Sequence, residues 1–203
     1  MNIDADARHG RRVRRRSPLR RAVDNPYLRN AVLAAAIVVS GAWKMWLMPV
    51  SVLEVVGGCA IGLCSFAFAV WVLSRCNTSA LVVEFKNLRR GLCRLPRRRC
   101  AGQVLRAAFE ETAWRGALQT AILGGGPLAL LATAGLFTAR HAQIYQHRVA
   151  TAQIAEFALF AFTLGALVAA TDALLPAALA HAMRNVAIFA AREGGEREHG
   201  DQV

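Results

Sequence analysis

Charged residues are scarce in this chain. Only 19% of its 203 residues are Asp, Glu, Lys or Arg, whereas about a quarter of an average soluble domain is charged. Hydrophobic residues make up 55% of the sequence, and the mean hydropathy is +0.33. The charges are bunched, and the apolar runs between them are long enough to cross a bilayer, which takes about 20 helical residues. The composition therefore predicts an integral membrane protein.

Acidic residues are especially few, with 13 Asp and Glu against 25 Lys and Arg, and the formal net charge is +12. In a soluble protein this excess would suggest nucleic-acid binding. Here the basic residues flank the apolar runs, nine of them between Arg8 and Arg29 and nine between Arg75 and Arg106. Such placement follows the positive-inside rule and attracts anionic lipid headgroups. The charge therefore predicts the lipid bilayer as partner, and no nucleic acid.

Several chemical signatures are missing from the sequence. The five cysteines form no close CxxC pair, so we interpret them as free thiols rather than a zinc knuckle or redox motif. The HExxH pattern of zinc proteases is absent. No cleavable signal peptide is expected, because the first apolar run begins near Ala31, behind a long arginine-rich tail. The polar residues inside the apolar runs are therefore the strongest functional signal.

The apolar runs predict an all-α fold, a polytopic transmembrane helix bundle of about six spans with both termini in the cytoplasm. The predicted spans are residues 27–48, 52–73, 101–123, 127–145, 153–171 and 174–191. A basic segment at 74–99 separates the second span from the third, and residues 80–85 within it are apolar enough for an interfacial helix. With the N-terminus inside, nearly all Lys and Arg outside the spans lie on the cytoplasmic side.

Three of the predicted spans carry side chains that do not belong in hydrocarbon. They are Glu110, Glu111 and Arg115 in the third, Arg140 and His141 in the fourth, and His181, Arg184 and Asn185 in the sixth. A full charge near the bilayer centre costs about 2.5–3.5 kcal/mol on insertion scales, so such residues usually face a bundle interior or an aqueous cavity and mark function. At the rise of an α-helix, the three sets fall at a shared level in the inner half of the membrane.

The spacing of these residues forms three motifs. In order along the chain stand Glu110-Glu111-Thr-Ala-Trp-Arg115, Phe137-Thr-Ala-Arg-His141 and His181-Ala-Met-Arg-Asn185. They resemble the EExxxR, FxxxH and HxxxN motifs of the CPBP (CAAX protease and bacteriocin-processing, Abi) family of glutamic-type intramembrane proteases. The resemblance spans residues 105–189, and its specificity comes from all three motifs standing in order on separate apolar helices.

The resemblance implies an intramembrane endopeptidase that hydrolyses a peptide bond of a membrane-associated protein or peptide. It implies that Glu110 is the general base and that His141 helps to hold or polarise the attacking water. Spacing alone does not choose between Glu110 and Glu111 as the base. No cofactor and no metal is expected, and the sequence carries no signal of oligomeric state.

The remaining motif residues have implied roles and structural alternatives. His181 and Asn185 would donate hydrogen bonds to the oxyanion, or would join helices by hydrogen bonds. Glu111 and Arg115, four residues apart, can pair on one helix face. That pair would either tune the field of the active site or serve as a structural ion pair only. Arg184, like Arg140, is assigned to the cytoplasmic interface or to packing.

Three other functions remain open at the level of sequence. Glu110, His141 and His181 are acceptable zinc ligands, so a zinc-dependent membrane protease is one alternative. A non-catalytic immunity or scaffold protein of the same family is another. A transporter or proton relay is the third, although no inverted repeat is visible.

The domain organisation follows from this interpretation. Residues 26–191 are expected to form the transmembrane protease domain, with the motif-bearing core at 101–191. Residues 1–25 are expected to be a basic, disordered cytoplasmic tail, and residues 192–203 a cytoplasmic C-terminal tail. The short, arginine-rich and alanine-rich chain suggests a bacterial member located in the inner membrane.

Overall fold

The computed structural model describes residues 26–76, 80–144 and 151–200, which form helices joined by turns, without a strand. The α-helices are α1 (Pro26–Ser40), α2 (Val52–Cys76), α3 (Ala80–Arg94), α4 (Arg97–Glu111), α5 (Gly126–Ile144), α6 (Thr151–Thr171) and α7 (Leu175–Gly200). A 3₁₀ helix covers Ala42–Trp46, and a π-helical segment, Thr112–Ile122, continues α4. The all-α prediction is thus confirmed, while the predicted tail at 1–25 lies outside the described residues.

The chain divides into two units between Ala35 and Ala36. The structure describes the first unit only from Pro26 onward, where α1 begins. All candidate site residues belong to the second unit, Ala36–Val203.

The first helix is shorter than predicted, because α1 ends at Ser40 rather than near residue 48. Gly41 has a φ of 70°, the left-handed conformation that commonly terminates a helix. The chain then turns into the 3₁₀ helix, and the indole Nε1 of Trp46 donates a hydrogen bond of 2.8 Å to Thr112 Oγ1. The break therefore brings this short helix against the π-helical segment.

The helix α2 begins with a capping box. The backbone N–H of Ser51 donates to Glu54 Oε2 at 2.6 Å, and the N–H of Glu54 donates to Ser51 Oγ at 3.2 Å. This reciprocal pair satisfies backbone donors that the first turn of a helix leaves without partners. It fixes the start of α2 at the residue that the sequence predicts.

The other boundaries differ from the predicted ones mainly around the basic segment and at the C-terminal end. The interfacial helix expected at 80–85 extends to Arg94 as α3, and α7 continues to Gly200, so it includes most of the predicted C-terminal tail. The third predicted span is α4 followed by the π-helical segment. In that segment Thr120 Oγ1 donates to the carbonyl of Arg115, five residues back, at 2.9 Å.

The helix α7 is the centre of the second unit, because it packs against α2, α3, α4 and α6. Glycines allow the close approach. A β-carbon added at Gly62 of α2 would overlap the carbonyl of Ala180 and lie 2.9 Å from Met183 Cβ. One added at Gly91 of α3 would overlap the carbonyl of Ala190. Small residues at such contacts are typical of helix packing in membranes.

The surface and the interior have the polarity expected of a membrane protein. Two helical stretches, Val52–Val72 and Thr151–Thr171, are long and apolar enough to span a bilayer, with mean hydropathies of 2.1 and 1.9. Only 22% and 33% of their apolar windows are buried. By contrast, the side chains of Glu111 and Arg115 are fully buried. This distribution agrees with a membrane-embedded bundle; six spans and cytoplasmic termini remain predictions.

Candidate active site

The two adjacent glutamates lie at the junction where α4 passes into the π-helical segment. Because neighbouring helical residues point about 100° apart, their carboxylates have different surroundings. The side chain of Glu111 is 0% exposed, whereas that of Glu110 is 19% exposed. One carboxylate is therefore enclosed and the other remains accessible.

Glu111 is held by two motif residues. Its Oε2 lies 3.3 Å from Arg115 Nε, and its Oε1 lies 2.8 Å from His181 Nδ1. The guanidinium of Arg115 also donates from Nη2 to the carbonyl of Ala161 in α6 at 2.8 Å, and it lies over the ring of Phe137, 5.0 Å from its centroid. The expected pairing of Glu111 with Arg115 is thus present, and it also joins the π-helical segment to α5 and α6.

Glu110 contacts a residue that the motifs do not include. Arg106, one turn earlier on α4, donates from Nε to Glu110 Oε1 at 2.9 Å. The other oxygen, Oε2, lies 3.7 Å from His181 Nε2, beyond a hydrogen bond but within ion-pair range. The imidazole of His181 therefore lies between the two glutamates, with one ring nitrogen toward each.

His141 approaches the same group from α5. Its Nδ1 donates to the carbonyl of Phe137 at 2.9 Å, and this contact leaves Nε2 of a neutral ring as an acceptor. Within the described part of the chain, His141 and Glu110 form neither an ion pair nor a hydrogen bond. Their implied joint action on a water therefore requires a water molecule between them.

Asn185 lies one helical turn after His181 on α7. It is half-buried, and its amide has no hydrogen-bond partner among residues 26–76, 80–144 and 151–200. An amide in this position has a donor available for a bound group. Of the six predicted site residues, the structure joins Glu110, Glu111, Arg115 and His181 by direct contacts, while His141 and Asn185 flank them.

Three phenylalanines form an aromatic cluster around the two imidazoles. The ring of Phe137 lies 4.3 Å from that of His141 and 5.9 Å from that of His181, centroid to centroid. Phe157 of α6 contacts His141 at 4.8 Å, and Phe160 contacts His181 at 5.9 Å. Phe137 is thus a packing residue beside the site, and α6 supplies the rest of the cluster.

Sequence reasoning missed a buried ion pair on α6 and α7. Arg184 Nη2 lies 3.0 Å and 2.9 Å from the two carboxylate oxygens of Glu156. Arg184 does pack, as predicted, but it also carries this pair. A signal was present, because Glu156 is a lone carboxylate in an otherwise apolar helix. Arg106 was missed because its place at the edge of the basic segment made it look like an ordinary flanking charge.

Metal-ligating groups do not converge in the described part of the chain. There, no group of three or more His, Cys, Asp or Glu side chains is arranged to hold a metal ion. Of the cysteines, Cys59, Cys64, Cys93 and Cys100 are free thiols, which agrees with the interpretation from the sequence.

Comparison with protein families shows a similarity over part of the chain. Residues 100–187 match a family model described as type II CAAX prenyl endopeptidase Rce1-like. The matched segment contains all three motifs together with Glu156 and Arg184. No curated protein and no solved structure matches the chain significantly.

Proposed function

We propose that this chain is a glutamic-type intramembrane endopeptidase of the CPBP family, because residues 100–187 match the model of the Rce1-like CAAX endopeptidases. It hydrolyses a peptide bond in a membrane-associated protein or peptide, near the cytoplasmic half of the bilayer. The family description refers to prenylated CAAX substrates, whereas the composition favours a bacterial inner-membrane member acting on other membrane-associated chains.

The difference between the two glutamates carries this proposal. Glu111 is fully enclosed and held by Arg115 and His181, so it supports the site rather than meeting a substrate. Glu110 keeps 19% of its side chain exposed, so water can reach its carboxylate. The geometry therefore favours Glu110 as the general base and Glu111 as a positioning residue, a choice that spacing alone leaves open.

The reaction follows from the positions of these groups. Glu110 accepts a proton from a water whose oxygen attacks the substrate carbonyl carbon, and Nε2 of His141 accepts a hydrogen bond from the same water. The Asn185 amide donates to the oxyanion that forms. When the intermediate collapses, the carbon–nitrogen bond breaks and Glu110 returns its proton to the leaving amine.

His181 adds a second donor only in its doubly protonated form. Its Nδ1 faces the carboxylate of Glu111 at 2.8 Å, so the proton on that nitrogen is already donated. A hydrogen bond to the oxyanion then requires a proton on Nε2 as well. In that form the ring has a carboxylate on either side, since Glu110 Oε2 lies 3.7 Å from Nε2.

The proposal is tested by comparing membrane peptides from cells that produce the wild-type chain, Glu110→Gln or His141→Ala. Glu54→Gln is the matched control, because it neutralises a glutamate at the start of α2, where a glutamine can still complete the capping box with Ser51. We expect cleavage products with the wild type and the control, and none with the two site variants at equal membrane levels.

Two outcomes would contradict the mechanism. If cells that produce Glu110→Gln or His141→Ala keep the phenotype that the wild-type chain gives them, the non-catalytic function would be favoured. Loss of cleavage after thorough chelation, with recovery on adding zinc, would favour the zinc-dependent alternative.

A further inference from the structure

The buried ion pair between Glu156 and Arg184 lies outside the three motifs. Both side chains are 7% exposed, and both carboxylate oxygens of Glu156 lie within hydrogen-bond distance of Arg184 Nη2. The pair joins the first part of α6 to α7, where Arg184 lies three residues after His181. Removing a carboxylate and a guanidinium from water costs several kcal/mol per ion, and an apolar replacement of such a pair is often no less stable. Stability alone therefore gives a weak reason for this pair.

The guanidinium of Arg184 contacts two rings of the aromatic cluster. Its central carbon lies 5.2 Å from the centroid of Phe157 and 4.3 Å from that of Phe160. Phe157 in turn contacts the imidazole of His141, and Phe160 contacts that of His181. Each histidine of the proposed site is thus one aromatic ring away from the same guanidinium.

The two rings also pack in the core, since Phe160 is 3% exposed and Phe157 stacks on Phe137 at 5.6 Å, and the guanidinium adds a polar contact that sets their final orientation. A planar guanidinium held by a carboxylate is fixed in orientation, and attraction to the ring faces adds to the contact. A chain of contacts connects the ion pair to the site. Glu156 holds Arg184, Arg184 contacts Phe157 and Phe160, and each of these rings contacts one imidazole. Each imidazole is held on its other side by a hydrogen bond from Nδ1, to Phe137 or to Glu111.

We propose that Glu156 and Arg184 are positioning residues that set the orientation of both site histidines through Phe157 and Phe160. The catalytic consequence rests on the proposed function, but the orientation itself does not. Without the pair, Phe157 and Phe160 lose the guanidinium that contacts them. The imidazoles beside these rings can then adopt other orientations, which compete with the Nδ1–H hydrogen bonds.

The test is ¹⁵N NMR of the histidine rings of the full chain in detergent micelles, in mildly alkaline buffer. The signals are assigned with His141→Ala and His181→Ala. The test variant is the double substitution E156Q/R184Q, because it neutralises both members of the Glu156–Arg184 pair together. The matched control is R99Q/E193Q, which neutralises a different ion pair, between α4 and α7.

In the wild type we expect both rings to be mainly in the Nδ1–H tautomer, as their hydrogen bonds require. In E156Q/R184Q the ratio of the Nδ1–H to the Nε2–H tautomer should fall several-fold while helical content is retained. R99Q/E193Q should leave the ratio at the wild-type value. If E156Q/R184Q does not fold, R184K, which keeps the charge but not the planar group over the two rings, replaces it in the same comparison.

Unchanged tautomer ratios in the test variant, or equal changes in the control, would overturn the proposal. With a cleaved peptide from the membrane comparison as substrate, kcat should fall while KM is retained. Absence of cleavage by the wild type would refute the protease function and leave the NMR result standing, so the two failures are distinguishable.

Discussion

Adjacent residues of one motif have opposite environments in this site. Glu111 has no exposed side-chain surface and contacts Arg115 and His181, while Glu110 faces the accessible side beside Arg106. Substitution of Glu111 should therefore mainly reduce the stability of the fold, whereas substitution of Glu110 should mainly reduce activity.

Glu111→Gln should destabilise the protein by about 3–5 kcal/mol, because it leaves the fully buried Arg115 without a charged partner. Glu110→Gln should cost about 0–1 kcal/mol, since its partner Arg106 has 58% of its side chain exposed. Thermal unfolding of both variants in detergent checks the contrast. Equal losses of stability would show that the enclosed and accessible carboxylates are not distinct.

The sequence predicts much of this site, and its limits have a physical cause. The pairing of Glu111 with Arg115 follows from their spacing on one helix. The choice of the exposed glutamate does not, because it depends on how α4 is rotated against α7. The contact of His181 with both glutamates depends on that same rotation, so helical spacing within either segment alone cannot supply it.

At the scale of elements, the π-helical segment is tied to α6 at two levels. Arg115 donates to the carbonyl of Ala161, and Gln119 donates from Nε2 to the carbonyl of Gly165 at 3.1 Å, one turn further along α6. The sequence predicts a helix here, but not its wider winding. A π-helix is rarely favoured by local sequence, and its side-chain partners lie on a helix far along the chain.

Two glycines of α2 should differ in how far an added methyl group destabilises the protein. Gly62→Ala should destabilise the protein by about 1–3 kcal/mol, because the added methyl group overlaps the Ala180 carbonyl of α7. Gly57→Ala is the matched control, since a β-carbon there meets nothing within 4 Å. The control should be neutral or stabilising by about 0.5–1 kcal/mol. Chemical denaturation in micelles measures both, and similar effects would argue against the close contact.

At the scale of the whole molecule, many large apolar side chains are exposed, while a few charged side chains are fully buried. Val39, Leu53 and Leu128 are 87%, 80% and 82% exposed, whereas Glu111 and Arg115 are fully buried. Exposed apolar surface of this kind is costly in water, and it is compatible with surrounding lipid. The family match and this inversion of polarity agree on a membrane location.

The predicted topology places α3 on the cytoplasmic side. A variant that keeps only Cys93, which is exposed, should react with a membrane-impermeant thiol reagent in inside-out vesicles and not in right-side-out vesicles. A variant that keeps only Cys64, an exposed residue within the apolar α2, is the control and should react in neither. Labelling of Cys93 from the outer side would contradict the six-span topology with cytoplasmic termini.

Because Gly62 of α2 lies against Ala180 of α7, the side-chain size at position 62 affects the position of the site residues on α7. Ala180 immediately precedes His181, so a single methyl group in α2 would shift the main chain that carries this imidazole. A substitution without any polar atom, in a helix that contributes no motif, would then impair hydrolysis. Inactivity of such a mutant would report a displaced backbone rather than a missing functional group.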